Sequence, residues 1–99
     1  MTALKLAPEV IDDLERIVAH LETHAIAETA VRVEEIISAL DILQQHPMIG
    51  RLASNGLREL VIGKRNHGYV ALYRYHEPLD TVLVLAIRAQ REAGYARPG

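Results

Sequence analysis

Apolar and polar residues repeat with two different periods along this chain, and the change of period separates a helical half from a strand half. From Pro8 to about Glu22, apolar residues recur at the spacing of one face of a helix, with acidic residues between them. A second stripe of this kind runs from near Ala27 to Gln45 and stops before Pro47, a residue that cannot continue a helix. The short connection between the two predicts an antiparallel hairpin of helices.

Each predicted helix has one apolar stripe, and polar residues occupy its other side. The stripe of the first helix comprises Val10, Ile11, Leu14, Ile17, Val18 and Leu21, and that of the second comprises Ala30, Val33, Ile36, Ile37, Leu40 and Leu43. The opposite face of the first helix is predicted to carry Asp12, Asp13, Glu15 and Arg16.

Strand patterns lie on both sides of the helical hairpin. Ala3 to Ala7 forms a short strand candidate that passes directly into the first helix. After a loop from Met48 to Gly56, three strands follow: one from Leu57 to the Gly63–His67 loop, one from about Gly68 to His76, and one from Thr81 to Arg88. This order predicts a single α+β domain over residues 1–99. Its N-terminal strand and antiparallel helical hairpin pack on one face of a small, mainly antiparallel sheet.

The last two strands are apolar on both faces, although the helices can cover only one of them. Period-two alternation places Val70 and Leu72 on one face and Tyr69, Ala71, Tyr73 and Tyr75 on the other, and it separates Val82 and Val84 from Leu83, Leu85 and Ile87. An uncovered face of tyrosines and leucines predicts a partner surface. The alternative is that Glu92–Pro98 folds over this face, or that strand twist covers most of it.

Composition narrows the possible functions. The chain has 99 residues and no cysteine, which excludes disulfides, zinc–thiolate sites and a thiol nucleophile. It lacks a signal-peptide pattern and an apolar run long enough to span a membrane, so we expect a cytoplasmic protein that does not bind membranes. No cofactor is implied.

The net charge of −2 conceals two halves of opposite sign. Residues 1–56 contain nine acidic and four basic residues, whereas residues 57–99 contain seven basic and four acidic ones. The basic half can meet an acidic protein or a phosphate backbone, although ordinary solvated charge explains the pattern equally well.

The segments LREL, GYVALYR and LAIRAQREAGY between Leu57 and Tyr95, preceded by the His46–Arg51 turn, resemble the ParE/RelE superfamily of toxins from toxin–antitoxin systems. The resemblance covers nearly the whole chain. It implies a partner antitoxin whose C-terminal segment wraps the toxin as a helix and often an added strand. The residues expected to bind the antitoxin are Tyr69, Tyr73, Tyr75, Leu83, Leu85 and Ile87.

The superfamily contains two activities, and this sequence is more similar to the group that poisons DNA gyrase by binding without catalysis. The resemblance then assigns target binding to arginines, which bond carboxylates and phosphates, and to their neighbours. The expected target-binding residues are Arg58, Lys64, Arg65, Arg74, Arg88, Arg91 and Tyr95.

The other group cleaves messenger RNA on the ribosome, and this chain matches its pattern only in part. Relatives of that group carry arginine after the Gly-Tyr pair, where this sequence has Val70, and the preceding strand has Val61 and Ile62 in place of spaced lysines. An RNA-cleaving site would therefore depend on Arg88, Arg91, Tyr95 and His67 as phosphate ligands and acid–base groups.

Several residues also have structural explanations. His20 and His24 have the spacing of helical metal ligands but no third ligand, so we expect solvated side chains and no metal site. Arg88 is the first functional candidate, and its structural alternative is an ion pair with Glu59 or Glu92. The strand tyrosines could stack nucleic-acid bases, but packing against a partner or a helix is the more common role. An inactive copy of the toxin, or a dimerising interaction domain without a toxic target, remains the third functional class.

Overall fold

The computed structural model describes residues 2–24, 29–63 and 68–91. Helices α1 (Pro8–Thr23) and α2 (Thr29–Gln45) follow strand β1 (Ala3–Leu6). The remaining strands are β2 (Arg51–Leu52), β3 (Arg58–Ile62), β4 (Tyr69–His76) and β5 (Thr81–Ala89). Short 3₁₀ turns at Ser54–Gly56 and Glu77–Leu79 precede β3 and β5.

The strands form one five-stranded sheet in the order β1-β5-β4-β3-β2. The first and last strands lie side by side and run parallel, whereas the other neighbours are antiparallel. Both helices pack on one face of this sheet, so the predicted α+β fold is confirmed. Strand β2, which pairs with only two residues of β3, lies inside the predicted Met48–Gly56 loop, because a two-residue strand shows no periodicity.

The main core lies between the helices and the sheet, and the tyrosines of β4 belong to it. Tyr73 is 0% exposed, and its hydroxyl accepts a hydrogen bond of 2.9 Å from the backbone N–H of Gly50. A Cβ at Gly50 would lie 2.7 Å from the Tyr73 hydroxyl, so this approach requires glycine. Tyr69 is also buried in this core, and Tyr75 packs at its margin. The prediction that these tyrosines lie on the uncovered face is therefore wrong: they face the helices.

A β-bulge in β5 explains a second error of face. Leu72 pairs with Ala86 and Tyr73 pairs with Val84, so Leu85 is an extra residue on β5. The bulge shifts the alternation by one residue, and Ile87 joins Val82 and Val84 in the helix-covered core. Ile87 is therefore not on the uncovered face as predicted.

The face away from the helices is largely closed by a second, smaller core. Leu57, Leu72 and Ala86 are buried there, and Ala53 and Leu85 pack against them. Val70 is buried as well. The predicted broad apolar patch is therefore absent from the described residues, and Glu92–Pro98, the segment considered as a cover, lies outside them.

Candidate functional site

Arg88 lies on the face of the sheet away from the helices, near the end of β5. It pairs with Val70 of β4, which in turn pairs with Val61 of β3. Arg88, Val70 and Val61 therefore form one row across the three strands. Its side chain is half-buried, and Nη1 donates to the carbonyls of Ala89 at 3.1 Å and Gln90 at 3.4 Å. The end of β5 thus presents a guanidinium beside apolar side chains.

Gly68 fixes the end of β5 beside the start of β4. The N–H of Gln90 donates to the carbonyl of Gly68 at 3.0 Å. A Cβ on Gly68 would lie 2.5 Å from the side-chain nitrogen Nε2 of Gln90 and 2.7 Å from the backbone carbonyl oxygen of Ile62. Glycine therefore allows the close approach that places Arg88, Gln90 and Arg91 at one end of the sheet.

Helix α1 holds the same end of β5 from the other side. Asp13 is only 2% exposed, and its Oδ2 accepts a hydrogen bond of 3.0 Å from the Ile87 N–H. Arg16 donates to the Ile87 carbonyl at 3.3 Å and lies 3.7 Å from Asp13 Oδ1. Strand β1 pairs with β5 only up to Val84, so these two side chains satisfy backbone groups that a longer β1 would have paired.

The contacts at Ile87 were missed because Asp13 was predicted on the solvent face of α1. Val10, Asp13 and Ile17 are all buried on one side of the helix, whereas Ile11 of the predicted stripe is exposed. Asp13 and Ile17 follow Val10 by three and seven residues, which is the spacing of one helix face, and this spacing could have shown that Asp13 is on the buried side. An acidic residue at such a position indicates a buried polar partner.

The structure separates the other predicted target-binding residues. Arg74 is exposed at the opposite end of β4, four residues and about 13 Å along the strand from Val70, the partner of Arg88. Arg91 is exposed in the turn after β5 and accompanies Arg88. Lys64, Arg65, His67 and Tyr95 lie outside the described residues.

Arg58 is tied to the loop after α2. Its Nη1 donates to the carbonyls of Met48 at 3.1 Å and Gly50 at 2.7 Å. The loop that carries Gly50 is thereby held against β3, and burial raises the pKa of the nearby Tyr73, an effect that the Gly50 N–H and the positive charge of Arg58 partly oppose. The observed contacts of Arg58 are structural, and its role in target binding stays a prediction.

Two antitoxin-binding candidates remain on the uncovered face. Leu83 and Leu85 are half-buried there. Leu83 pairs with Arg74 on one side and Lys5 of β1 on the other.

Tyr75, another antitoxin-binding candidate, is hydrogen-bonded within the chain. Its hydroxyl donates to Asp80 Oδ1 at 2.8 Å, and the Thr2 hydroxyl donates to the same oxygen at 2.7 Å. The hydrogen bond from Thr2 and, to a lesser extent, the one from Tyr75 lower the pKa of the Asp80 carboxyl group. The hydrogen bond to Asp80 raises the pKa of the Tyr75 hydroxyl.

The prediction that His20 and His24 have solvated side chains is confirmed. His20 and His24 are exposed on α1, and His24 Nδ1 lies 2.9 Å from the His20 carbonyl oxygen. Among the described residues, no three histidine, aspartate or glutamate side chains come together as a possible metal site. In the same part of the chain, no helix combines the length and hydropathy that a bilayer crossing requires.

Comparison with known proteins places this architecture among bacterial toxins. Residues 4–94 match the family model described as the ParE toxin of type II toxin–antitoxin systems, parDE. The chain is 32% identical over 92 residues to Toxin RelE3 of Caulobacter vibrioides, covering 93% of this chain and 98% of that protein.

Two solved structures share the fold. The chromosomal ParDE system of P. aeruginosa aligns with a TM-score of 0.74 and 22% identity, covering 90% of this chain and 96% of that one. The intact E. coli RelBE toxin–antitoxin complex aligns with a TM-score of 0.65 and 13% identity, covering 93% of this chain and 100% of that one. The family match over residues 4–94 shows that this chain belongs to the ParE toxin family of type II toxin–antitoxin systems, within the ParE/RelE superfamily.

Proposed function

We propose that this chain inhibits DNA gyrase by binding to it, without catalysis of its own, and that a cognate antitoxin neutralises it. The family match supports a toxin of the ParE type. Gyrase and its DNA offer carboxylates and phosphates, and the arginine-bearing end of the sheet suits both. A cytoplasmic location follows from this target.

The observation that carries the proposal is the row of Val61, Val70 and Arg88. Cleaving RNA requires one group that takes the proton of the ribose hydroxyl and another that protonates the leaving oxygen. Arginine stays protonated at all physiological pH values, so it can bind an anion but cannot exchange protons. Its two row partners are valines. Among the described residues, this row therefore supports binding over catalysis.

The antitoxin partner is supported by the structural neighbours. The P. aeruginosa structure is a ParDE system, and the E. coli structure is a toxin–antitoxin complex of RelB and RelE. A protein of the same fold and family is expected to have its own antitoxin.

A second candidate function is ribosome-dependent cleavage of messenger RNA. It is favoured by the 32% identity to a protein named Toxin RelE3. In this alternative Arg88 and Arg91 bind the scissile phosphate, and Tyr95 and His67 exchange protons. The two functions predict different products, since one leaves cleaved DNA bound to gyrase and the other leaves cleaved messenger RNA.

Expression of the chain alone in bacteria tests the proposal. Gyrase poisoning predicts filamentation and a DNA-damage response, whereas codon-positioned messenger RNA cleavage with immediate translation arrest would establish the alternative. Arg88→Ala combined with Tyr95→Ala is expected to reduce growth inhibition and to leave antitoxin binding intact. Two further variants serve for comparison. Arg88→Lys keeps the positive charge but loses the planar guanidinium group. Lys5→Ala removes an exposed basic residue of β1 and is the control. Undiminished inhibition by the double variant would remove these residues from the site.

A further inference from the structure

Asp13 is a buried carboxylate that the proposed function does not use. It is 2% exposed on α1, and its Oδ2 accepts the Ile87 N–H at 3.0 Å. Arg16 donates to the carbonyl of Ile87 at 3.3 Å and lies 3.7 Å from Asp13 Oδ1. Both backbone groups of Ile87 are therefore held by side chains of one helix. Burying a carboxylate costs more than burying an apolar side chain, so this contact indicates a requirement on the position of Ile87.

The direction in which the Ile87 backbone points depends on the β-bulge at Leu85. The carbonyl of Val84 points toward β1, because it accepts the Ala7 N–H at 2.9 Å. Groups that point to one edge of a regular strand repeat every second residue, whereas Ile87 follows Val84 by three residues. The extra residue Leu85 supplies the additional step. The two contacts from α1 therefore form only when β5 contains the bulge.

The same bulge decides which face of the sheet carries Arg88. In the observed register Arg88 pairs with Val70, and Ile87 lies in the helix-covered core. Without the bulge, the register of the preceding residues would continue and pair Val70 with Ile87. Arg88 would then turn toward the helices, because a shift of one residue exchanges the two faces. The observed register thus places the guanidinium on the face of the sheet away from the helices.

The position of the guanidinium also depends on the backbone that follows Arg88. Its Nη1 donates to the carbonyls of Ala89 and Gln90, and the Gln90 N–H donates to the carbonyl of Gly68. Beyond the point where β1 stops pairing, the end of β5 is held by β4 on one side and by α1 on the other. Removing the contacts from α1 takes away one of these two supports.

We propose that Asp13, together with Arg16, is a positioning residue for the target-binding Arg88. The pair selects the bulged register of β5, and the bulge places Arg88 on the face away from the helices. Neither residue needs to contact the target, because both act through the backbone at Ile87. The target-binding role of Arg88 rests on the proposed function, whereas the selection of the register does not.

Nuclear magnetic resonance of the ¹⁵N-labelled full chain tests the register directly. The backbone amide protons of Val70 and Arg88 face each other in the observed register and should give a strong cross-strand contact. Asp13→Ala should lose most of this contact. Asp13→Asn should retain it, because the amide oxygen can still accept the Ile87 N–H. A full contact in folded Asp13→Ala would overturn the proposal.

Two further variants separate the position of Arg88 from the stability of the fold. Leu43→Ala truncates a fully buried leucine of α2, so it should lower the melting temperature but keep the cross-strand contact. Loss of the contact in this variant as well would show general loosening and overturn the proposal. If Asp13→Ala does not fold, Arg16→Ala takes its place. It should speed hydrogen exchange of the Arg88 amide by about threefold to fivefold, and unchanged exchange would overturn the proposal.

A double-variant cycle in the gyrase supercoiling reaction tests the link to target binding. Arg88→Ala should raise the concentration of the chain needed for half inhibition by about tenfold or more, because it removes charge-assisted hydrogen bonds. Asp13→Ala should raise it by about threefold to tenfold alone, but by less than about twofold when Arg88→Ala is already present. Leu43→Ala should leave it unchanged at temperatures where melts show folded protein. Equal losses from Asp13→Ala with and without Arg88 would overturn the positioning role.

The two experiments separate this inference from the proposed function. If Arg88→Ala weakens gyrase inhibition, but folded Asp13→Ala keeps full activity and the cross-strand contact, the positioning role fails and the proposed function stands. If the chain does not inhibit gyrase, but Asp13→Ala loses the contact between Val70 and Arg88, the proposed function fails and the selection of the register stands.

Discussion

Replacing Asp13 by alanine is predicted to lower the free energy of unfolding by about 3 kcal/mol, although Asp13 lies on a helix surrounded by other acidic residues. The carboxylate is 2% exposed and accepts the Ile87 N–H at 3.0 Å. Losing a hydrogen bond to a charged group costs about 1.5–3 kcal/mol, and the Ile87 N–H is left buried without this acceptor. The contact with Arg16 adds less than about 1 kcal/mol, because the Arg16 side chain is 39% exposed.

Two further variants separate the contributions at this position. Asp13→Asn keeps an acceptor oxygen and loses the charge, so roughly half of the destabilisation is expected, since charge-assisted bonds are about twice as strong as neutral ones. Arg16→Ala should cost about 1 kcal/mol, because it removes both the ion pair with Asp13 and the 3.3 Å hydrogen bond to the Ile87 carbonyl from a side chain that is 39% exposed.

Urea denaturation followed by circular dichroism at pH 7 gives the three free energies of unfolding. The melting temperature of Asp13→Ala should fall by roughly 12–24 °C, at about 4–8 °C per kcal/mol for a domain of this size. Equal stability of Asp13→Ala and Arg16→Ala would refute the assignment of the main stabilisation to the Ile87 N–H.

Three other predictions concern the core and the surface. Gly50→Ala should destabilise the fold by about 1–3 kcal/mol in urea titrations, because its Cβ would lie 2.7 Å from Tyr73 and 2.8 Å from the Glu59 carbonyl; a neutral effect would contradict this packing. Because the pKa of Tyr73 is raised in the fold, the unfolded chain loses its phenolic proton first, so stability should fall as the pH rises above the ordinary tyrosine value of 10.0. The pKa of Tyr75 is raised as well, so the comparison is made between Tyr75→Phe alone and Tyr73→Phe with Tyr75→Phe. The double variant should lose less stability with rising pH, and an equal loss in both proteins would contradict the role of Tyr73. Arg51→Ala should alter stability by less than about 1 kcal/mol, since Arg51 is largely exposed in its 3.3 Å ion pair with Glu59, and a larger loss would indicate a more deeply coupled pair.

The order of helices and strands could be predicted from the sequence because it depends on local periodicity. The first helix was expected to begin at Pro8, and the structure begins it there. Pro47 was expected to stop the second helix, which ends at Gln45. These elements follow from spacing and from residues that favour or forbid a conformation, and both are properties of neighbouring positions.

The faces of the strands could not be predicted as well, because they depend on distant pairing. The bulge at Leu85 appears only when β5 is aligned with β4, and it moves Ile87 to the helix-covered face. Period-two alternation correctly separated Tyr73 from Leu72, but it could not decide which of the two faced the helices. Both errors weakened the predicted antitoxin surface on the sheet.

The candidate site was predicted in part. Arg88 could be singled out as an arginine inside an apolar strand, whereas the separation of Arg74 from Arg88 required the register of β4 and β5. Sequence patterns show which residues are unusual, and the sheet pairing decides which of them lie together.

The most direct test of gyrase poisoning is a reconstituted supercoiling reaction with purified gyrase, plasmid DNA, ATP and this chain. The proposal predicts loss of supercoiling with accumulation of cleaved DNA bound to gyrase, and a smaller effect for Arg88→Ala. Unchanged supercoiling by a folded chain that inhibits growth in cells would contradict the proposal, and messenger RNA cleavage in those cells would then identify the ribosome as the target.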